Sequence, residues 1–524
     1  MSAAERASIE RKFVRVIVIG AGAAGLMAGC AAADGGADVT VLDQNEKVGK
    51  KIFITGKGRC NYTNACDTAD FFGNVLRNPK FLYSAVYGFD SSAMTQFLQN
   101  NGCPVKQERG QRCFPASDHA YDVTDALVRH LRAAGGRIRL GCRVKKILTE
   151  PLRVNDEITE RTDPSFEAKT SKVPESETGD AARRLSGKEN AASDAARRAI
   201  GVQLEDGKKL FADAVIVATG GMSYPSTGST GDGYRFAGRL GLKVVAPQPS
   251  LVPYTVEEAW PMILQGLSLK NVAVKVEELP EELRAAGEGS DGSREAAGDL
   301  SAEEEFLREE KYQGAAAIPA SKGRAGKRRK KSGPVYEGFG EMLFTHFGVS
   351  GPLILSASCH TDFAAHPEGY LLHLDLKPAM TQEEVIARLK REFGSAPGKE
   401  LRHVLRSLMP QRLAEVIAEL FGQQSGWDGA APVRTMDEKK VKALALLLKN
   451  VTMHVTGTRG FPEAIITRGG VDVRQINPST METKSISGLY WAGEVLDVDA
   501  YTGGFNLQIA WSTGHLAGAC AARQ

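Results

Sequence analysis

Near the N-terminus, short apolar runs alternate with glycine turns and an alanine-rich stretch. The consecutive segments VRVIVIG, AGAAGLMAGCAAADGGA and DVTVLDQ predict a strand, a glycine turn leading into a helix, and a second strand. This order is typical of a βαβ unit, whose two strands lie parallel. Further strands are predicted by IGVQLEDGKKLFADAVIVATGG, and a strand, a loop and a helix by GLYWAGEVLDVDAYTGGFNLQIAWSTGHLAG at the C-terminal end. The pattern therefore predicts an α/β core assembled from both ends of the chain.

The middle of the chain follows other patterns. From Leu251 to about Leu376 it predicts β-structure, and from Thr381 to about Asn450 apolar residues recur at helical spacing. We therefore expect a two-part Rossmann-like α/β domain with an inserted β-rich domain and a small helical domain. The expected boundaries are 1–240 for the first part, 241–380 for the β-rich domain, 381–455 for the helical domain and 456–524 for the second part.

Two segments, about 153–200 and 281–333, are charged and almost without apolar periodicity. Neither contains enough apolar residues to offset the entropy lost on ordering, so we expect both to be mobile insertions. The second insertion contains the basic run Lys327-Arg328-Arg329-Lys330-Lys331.

Composition narrows the class of protein. A chain of 524 residues suggests roughly three domains. No apolar stretch approaches the roughly 20 residues that span a bilayer, and the charged N-terminal segment does not resemble a signal peptide. The eight cysteines are scattered without a CxxC pair, so we expect reduced thiols, no metal site and a cytoplasmic location. The net charge of +3 is too small to indicate nucleic-acid binding by itself.

The first glycine turn carries a dinucleotide fingerprint, Gly20-x-Gly22-x-x-Gly25. Such glycines allow a tight turn, approach of the backbone to a pyrophosphate, and close packing of helix on strand. The helix N-terminus offers N–H groups to the phosphates, and Asp43 is placed to accept the ribose hydroxyls. No second fingerprint follows a strand, which disfavours a separate NAD(P)H domain. FAD is favoured instead, because the last helix begins near Gly503-Gly504 and its positive end would stabilise a reduced flavin.

Together these motifs resemble one family. The segments VIVIGAGAAGLMAG, VGKKIFITGKGRCNYTN, VIVATGGMSYPSTGSTGDGYRFAGRLGL, MLFTHFGVSGPLIL and GLYWAGEVLDVDAYTGGFNLQIAWSTG are similar to those of BaiN/RdsA-type NAD(P)/FAD-dependent flavoproteins, also called aminoacetone oxidase-like FAD-binding enzymes. The resemblance implies a two-part FAD domain with a β-barrel-like insert and a small helical insert. Asp43 stands where the family more often has Glu, which leaves the ribose role plausible.

The resemblance also implies a chemistry. Family members reduce activated C=C bonds, some in dehydro-bile acids and others in uridine of large-subunit ribosomal RNA, with NAD(P)H as the expected reductant. A flavin hydride would go to the β-carbon of a conjugated carbonyl, and an acid would protonate the α-carbon.

The candidate cofactor-binding residues lie in the glycine turns, the basic loop after the ribose acid, and the final loop and helix. They are Gly20, Gly22, Ala23, Ala24, Gly25, Asp43, Lys51, Gly58, Arg59, Asn61, Ala218, Thr219, Gly220, Gly493, Glu494, Asp497, Gly503, Gly504, Asn506 and Leu507. For the basic loop, which also holds Lys50 and Lys57, a solvated surface is the alternative. Tyr501 and Gln508 are further candidates for flavin contact, with packing as the alternative.

Cys60 and His346 are the candidate proton donors. Cys60 lies beside Arg59, and its alternative is packing against the flavin. His346 precedes a glycine turn and is equally compatible with a structural role. His454 and His515 are expected to be structural.

The expected substrate is uridine in large-subunit ribosomal RNA, with a small conjugated carbonyl compound such as a dehydro-bile acid or steroid as the alternative. The basic run would favour a polyanion, although a solvated charge run is the alternative. A steroid would need an apolar pocket, expected between the β and helical domains. Two other classes stay open, a non-catalytic flavin redox module and an amine oxidase that uses oxygen.

Overall fold

The computed structural model describes residues 13–152, 197–279 and 333–524. The expected insertions lie almost wholly outside the described residues, as does the basic run Lys327–Lys331. The chain divides into two compact units, unit 1 up to residue 251 together with 460–524, and unit 2 from 252 to 459.

Strands are named in chain order over the described residues. They are β1 Arg15–Ile19, β2 Asp38–Leu42, β3 Thr63–Asn64, β4 Val105–Glu108, β5 Arg112–Pro115, β6 Arg137–Arg139, β7 Val144–Pro151, β8 Arg197–Leu204, β9 Lys209–Phe211, β10 Ala214–Val217, β11 Val244–Ser250, β12 Tyr254–Val256, β13 Ser268–Glu278, β14 Tyr336–Thr345, β15 Gly348–Ser350, β16 Tyr370–Asp375, β17 Val451–Thr458, β18 Ile466–Val471, β19 Ile486–Ser487 and β20 Leu489–Trp491.

The α-helices of the described residues are named in the same way. They are α1 Ala23–Asp34, α2 Lys50–Ile54, α3 Thr68–Gly73, α4 Tyr83–Gly88, α5 Ser91–Asn100, α6 Ala120–Ala133, α7 Asp232–Arg239, α8 Trp260–Ile263, α9 Pro352–Ser358, α10 Gln382–Ser395, α11 Leu401–Leu405, α12 Gln411–Ser425, α13 Glu438–Lys449 and α14 Phe505–Ala521.

The centre of unit 1 is a five-stranded sheet in the order β20-β10-β1-β2-β6. All four neighbouring pairs are parallel, with Ile17 opposite Val215 on one side and Thr40 on the other. Strand β20 comes from the last 40 residues or so of the chain and β1 from its beginning, so both ends contribute to one sheet. The four residues of β10 are all buried, as expected for a parallel strand covered on both faces. The predicted two-part Rossmann-like fold is confirmed.

Helices α1 and α14 lie against each other with almost no space between their backbones. A Cβ added to Gly514 would overlap the carbonyl oxygen of Ala24, and one added to Gly518 would overlap that of Ala28. Residue numbers increase in the same direction along both helices of this contact, from Gly514 beside Ala24 to Gly518 beside Ala28. The two helices therefore run parallel. The small residues that made this segment alanine- and glycine-rich are therefore the ones that allow the contact.

Unit 2 contains a closed barrel of six strands in the order β12-β15-β14-β13-β16-β17. The predicted β-barrel-like insert is confirmed. Leu372 and Met453 of the barrel share one hydrophobic core with Leu389 of α10 and Leu444 of α13. Barrel and helices thus form one unit, whereas the sequence pattern divided them at residue 380. Strand β11 also lies elsewhere than expected, since it pairs with β18 inside unit 1.

Among the described residues, no helix is long and apolar enough to cross a membrane. All eight cysteines are described, and none forms a disulfide. The described part of the chain also contains no cluster of His, Cys, Asp and Glu side chains suited to a metal ion.

Candidate active site

The glycine turn after β1 holds the start of α1 at the carboxyl end of the sheet. The Gly20 N–H donates to the Leu42 carbonyl at 2.7 Å, which ties the turn to β2. The Asp43 carboxylate accepts from the Ala21 N–H at 2.6 Å and the Asn45 N–H at 2.8 Å. Each oxygen takes one backbone donor, so the carboxylate is oriented and keeps lone pairs for a hydroxyl ligand.

The N-terminus of α1 faces open space. Its N-cap, Gly22, has an extended backbone and no side chain to cap the first turn. A Cβ at Gly22 would meet no atom within 4 Å, whereas one at Gly25 would overlap the Gly20 carbonyl oxygen. Gly25 is therefore required by the protein's own packing, while Gly22 leaves room beside uncapped N–H groups. Such a helix end suits a phosphate. Ala23 is the first residue of this helix.

The N-terminus of α14 lies on the same side of the unit but further out. Gly514 of α14 is level with Ala24 near the start of α1, and Phe505 begins α14 nine residues earlier. Because Ala24 is the second residue of α1, the two helix starts are eight residues apart, or about 12 Å at 1.5 Å per residue. Both positive helix ends therefore point the same way, one beyond the other, which suits an elongated ligand with a pyrophosphate and a second electron-accepting end.

The turn before α14 depends on glycine. Gly503 and Gly504 have φ of +123° and +100°, a region that side-chain-bearing residues rarely adopt. A Cβ on Gly504 would also overlap the Thr63 carbonyl group. This close approach attaches the start of α14 to β3.

The positions of unpaired polar atoms test whether the site fits FAD. In unit 1, the described buried side-chain atoms without a hydrogen-bond partner are four oxygens, on Asn61, Thr219, Asp497 and Asp499. Three of these residues were predicted from sequence to bind the cofactor. Buried polar atoms are normally paired, and a hydroxyl- and amide-rich ligand such as FAD would supply partners. The residues present therefore fit FAD.

Asp497 and Asp499 form a buried acidic pair near the end of β18. The Arg77 guanidinium lies 3.8 Å from Asp497 Oδ1 and 3.6 Å from Asp499 Oδ1. Burial raises the pKa of Asp499 to about 6, although Arg77 and Arg468 oppose the shift. Burial also raises the pKa of Asp497. Asp499 was not among the residues predicted to bind the cofactor, although its place two residues after Asp497 in the same motif could have indicated it.

Lys51 and Glu494 bind each other. Lys51 Nζ lies 2.6 Å from Glu494 Oε2 and donates to Ser223 Oγ at 2.5 Å. The other carboxylate oxygen of Glu494 accepts from Ser223 Oγ at 2.7 Å and from the Thr467 N–H at 2.9 Å. Four distant segments of the chain thus meet at Glu494. Any contact of these two residues with the cofactor stays a prediction.

Arg59 is engaged with protein carboxylates. Its guanidinium pairs with Glu108 and lies 2.6 Å from Asp118, and it covers the ring of Phe114 at 4.2 Å. Lys106 also pairs with Asp118, at 2.5 Å. This network favours a structural role for Arg59, and its predicted contact with the cofactor stays untested.

Cys60 is completely buried, with φ of +59°. Burial raises the pKa of its thiol to about 12. A thiol that is enclosed by protein and holds its proton this tightly is a poor acid for a substrate. Burial of the thiol favours packing, and the role of Cys60 as proton donor stays a prediction.

The final helix uses its polar side chains internally. The Asn506 side chain accepts from the Ala500 N–H at 2.9 Å and donates to the Ala500 carbonyl at 2.7 Å. Gln508 is fully buried, accepts from Thr63 Oγ1 at 2.7 Å and donates to the Phe89 carbonyl at 3.0 Å. These bonds brace the loop and helix, and contact of either side chain with the flavin stays a prediction.

The remaining candidates are mostly backbone positions of unit 1. Gly58, Gly220 and Gly493 have φ of +88°, +70° and +79°. Ala218 follows β10 and donates to the Ile19 carbonyl at 2.9 Å, and Leu507 lies in the first turn of α14.

The three histidines considered from the sequence lie in different units and have different contacts. His515 stacks on Phe89 at 4.4 Å in unit 1, and His454 in unit 2 bonds Glu257 at 2.6 Å and the Glu368 carbonyl at 2.9 Å. These contacts agree with structural roles. His346 is exposed in the turn between β14 and β15 of unit 2, with its ring 4.9 Å from Phe347. Its predicted role stays open.

Comparison with known proteins identifies the relatives. The HI0933-like protein Rossmann domain matches residues 14–170 and 177–520. The chain is 28% identical over 514 residues to 3-dehydro-bile acid Δ4,6-reductase of Clostridium scindens, covering 97% of this chain and 99% of that protein. It is 26% identical over 514 residues to ribosomal RNA dihydrouridine synthase of Haemophilus influenzae, covering 97% and 98%.

Among solved structures, 3-ketosteroid-Δ4-(5α)-dehydrogenase from Rhodococcus jostii matches with a TM-score of 0.41 and 14% identity, covering 99% of each chain. The family match spans both parts of the Rossmann-like domain and the inserted unit. The chain belongs to the HI0933-like family, whose members are oxidoreductases with an FAD-binding Rossmann fold.

Proposed function

We propose that this protein is an NAD(P)H-dependent flavoenzyme that reduces uridine to dihydrouridine in large-subunit ribosomal RNA, in the cytoplasm. The observation that carries the cofactor assignment is the pair of parallel helices, α1 and α14, whose N-termini are offset by about 12 Å. The relative from H. influenzae supports the substrate, because it aligns over nearly its whole length.

Unit 1 would hold FAD along the line that joins the N-termini of α1 and α14. The start of α1 at Gly22 would bind the pyrophosphate, and Asp43 would accept the ribose hydroxyls. Thr219 Oγ1, which lacks a hydrogen-bond partner, would bond the rest of the cofactor, together with the Asp497 and Asp499 carboxylates that Arg77 faces. When bound, FAD supplies a hydride to the β-carbon of a conjugated carbonyl.

The protein must also provide a proton for the α-carbon. Of the two predicted donors, Cys60 and His346, we propose His346, because its imidazole is exposed while the Cys60 thiol is buried.

A second candidate function is reduction of a small conjugated enone with a steroid-like skeleton. The relative from C. scindens favours it, with 28% identity against 26% for the ribosomal RNA enzyme. Both candidates share the hydride and proton transfers and differ in what surrounds the reacting bond.

One experiment separates them. FAD-loaded protein is incubated with NADPH or NADH and either ribosomal RNA from a strain lacking the gene or a steroidal enone. We expect dihydrouridine, measured by mass spectrometry of RNA nucleosides, at a single site, and slow oxidation of NAD(P)H with the enone. Unmodified RNA together with rapid, stoichiometric reduction of the enone would replace the first function with the second.

A further inference from the structure

An exposed aromatic cluster lies on the surface of unit 1. It consists of Phe72, Tyr83 and Tyr87, which we call the aromatic platform. The Tyr83 and Tyr87 side chains are 45% and 65% exposed. The ring of Phe72 lies 4.6 Å from that of Tyr83 and 5.7 Å from that of Tyr87, at angles of 66° and 41°. No two of these rings stack in parallel, and grouped aromatic rings left open to solvent commonly mark a binding surface.

The platform is attached to the start of α14. Phe71, which precedes Phe72 in α3, packs its ring 5.7 Å from that of Phe505, the first residue of α14. Helix α4, which carries both tyrosines, leads into Phe89, whose carbonyl accepts from Gln508 and from Ser512 Oγ of α14, the latter at 2.6 Å. The platform therefore has a fixed position beside the proposed flavin end of the cofactor site.

A basic hairpin tip lies next to the same turn. Arg109 and Arg112 are exposed at the β4–β5 hairpin. Asn64 Nδ2 donates to the Gly110 carbonyl of this hairpin at 3.1 Å and to the Gly503 carbonyl at 3.2 Å. Within the described ranges, neither arginine has an ion-pair partner, and the Arg112 Nε donates only to the Arg109 carbonyl, at 3.1 Å.

The segment that carries the platform contains two basic residues. From residue 71 to residue 89 these are Arg77 and Lys80, and the acidic residues Asp70 and Asp90 lie directly before and after the segment. Arg77 is used by the buried acidic pair, while Lys80 is exposed. Asp67, which precedes α3, and Asp70, within α3, are exposed.

We propose that the aromatic platform and the basic hairpin bind single-stranded RNA on either side of the Gly503–Gly504 turn. Bases would stack on the rings of the platform, and Arg109, Arg112 and Lys80 would contact phosphates. This combination of aromatic faces and unpaired cations is the one that sequence-tolerant RNA surfaces use. A uridine extruded between the two elements would lie at the start of α14. The inference rests on the proposed RNA substrate and names the surface that selects it.

Binding of full-length, FAD-loaded protein to a short, labelled, uridine-rich single-stranded RNA tests the platform. Tyr87→Ala should weaken binding about 10-fold, since one base can no longer stack, while Tyr87→Phe should keep nearly all of it. Tyr121→Ala is the matched control, because Tyr121 is 49% exposed on α6 and its ring stacks on that of His119 and on no ring of the platform. Its affinity should equal that of the wild type.

The hairpin is tested by salt dependence. Arg109→Gln with Arg112→Gln should lower the affinity, and should flatten the slope of log affinity against log salt by about one for each phosphate that the protein no longer binds. Arg132→Gln, at an exposed arginine of α6, should change neither quantity.

The result also separates this inference from the proposed function. If the wild type binds no RNA, or if Tyr87→Ala binds as tightly as Tyr121→Ala, the RNA surface is wrong, whatever dihydrouridine measurements show. A change of sedimentation with Tyr87→Ala at unchanged RNA affinity would make the platform an interface between copies, which also overturns it. The wild type could also bind RNA but make no dihydrouridine. If Tyr87→Ala then specifically loses RNA binding, the RNA surface is supported and the proposed reaction is contradicted.

Discussion

Replacing Gly22 by alanine should reduce FAD affinity without unfolding the protein. The Cβ would meet no protein atom within 4 Å, and the backbone at Gly22 has φ of −84°, which alanine adopts freely. Fewer unfolded conformations would stabilise the variant by about 0.4–1 kcal/mol, and the poorer N-cap would offset a similar amount. We therefore expect the free energy of unfolding of the apoprotein to stay within about 1 kcal/mol of the wild type.

The effect on FAD should be larger. A methyl group beside the uncapped N–H groups of α1 would displace the pyrophosphate from at least one charge-assisted hydrogen bond. Such a bond contributes about 1.5–3 kcal/mol, so the dissociation constant should rise roughly 10- to 100-fold. Flavin fluorescence during titration of apoprotein with FAD measures this constant, and urea unfolding of the same sample measures stability.

Two other glycines provide controls. Gly238→Ala adds the same methyl group in open space on α7, and it should leave FAD affinity unchanged. Gly25→Ala would force the methyl group into the Gly20 carbonyl oxygen, so that variant should lose stability as well as FAD. A Gly22→Ala protein that is folded and binds FAD as tightly as Gly238→Ala would refute the placement of the pyrophosphate at α1.

Three further predictions concern groups inside unit 1. Glu494→Gln should lower the free energy of unfolding by about 1–3 kcal/mol in urea melts, because Lys51 loses its ion pair, and an unchanged stability would contradict that account. Burial raises the pKa of Asp499 from 3.8 to about 6, so the folded state binds this proton more tightly and wild-type stability should fall by about 3 kcal/mol as pH rises from 4 to above 6. Asp499→Asn should remove that part of the pH dependence, and identical pH profiles of unfolding would show that the carboxyl is not perturbed. Cys60→Ala should leave the rate of product formation unchanged while lowering stability, and a large loss of turnover with FAD still bound would restore the thiol as the acid.

Local patterns were sufficient to predict the fold class. The period of apolar residues and the glycine turns around Gly20 and Gly504 depend on neighbours in sequence, so strands, helices and the two-part domain could be predicted. The domain boundaries could not, because β11 resembles the β-rich segment that follows it, and only its pairing with β18, more than 200 residues later, places it in unit 1.

Side-chain roles were harder to predict than backbone roles. Asn506 and Arg59 sit in motifs that suggest a ligand, and their contact with the cofactor stays a prediction. What the sequence did not indicate is that their polar atoms also bond the Ala500 backbone and the carboxylates of Glu108 and Asp118. Such pairings depend on which distant segments meet in the folded chain. The same is true of Cys60, whose burial could not be inferred from its polar neighbours in sequence.

Dihydrouridine in large-subunit ribosomal RNA tests the central claim most directly. RNA from a strain lacking the gene would be compared with RNA from strains that express the wild type or Gly22→Ala at equal protein levels. The account predicts that one dihydrouridine disappears on deletion, returns with the wild type, and returns only in part with the FAD-binding variant. Dihydrouridine that is identical in all three strains would contradict the assignment of ribosomal RNA as the substrate.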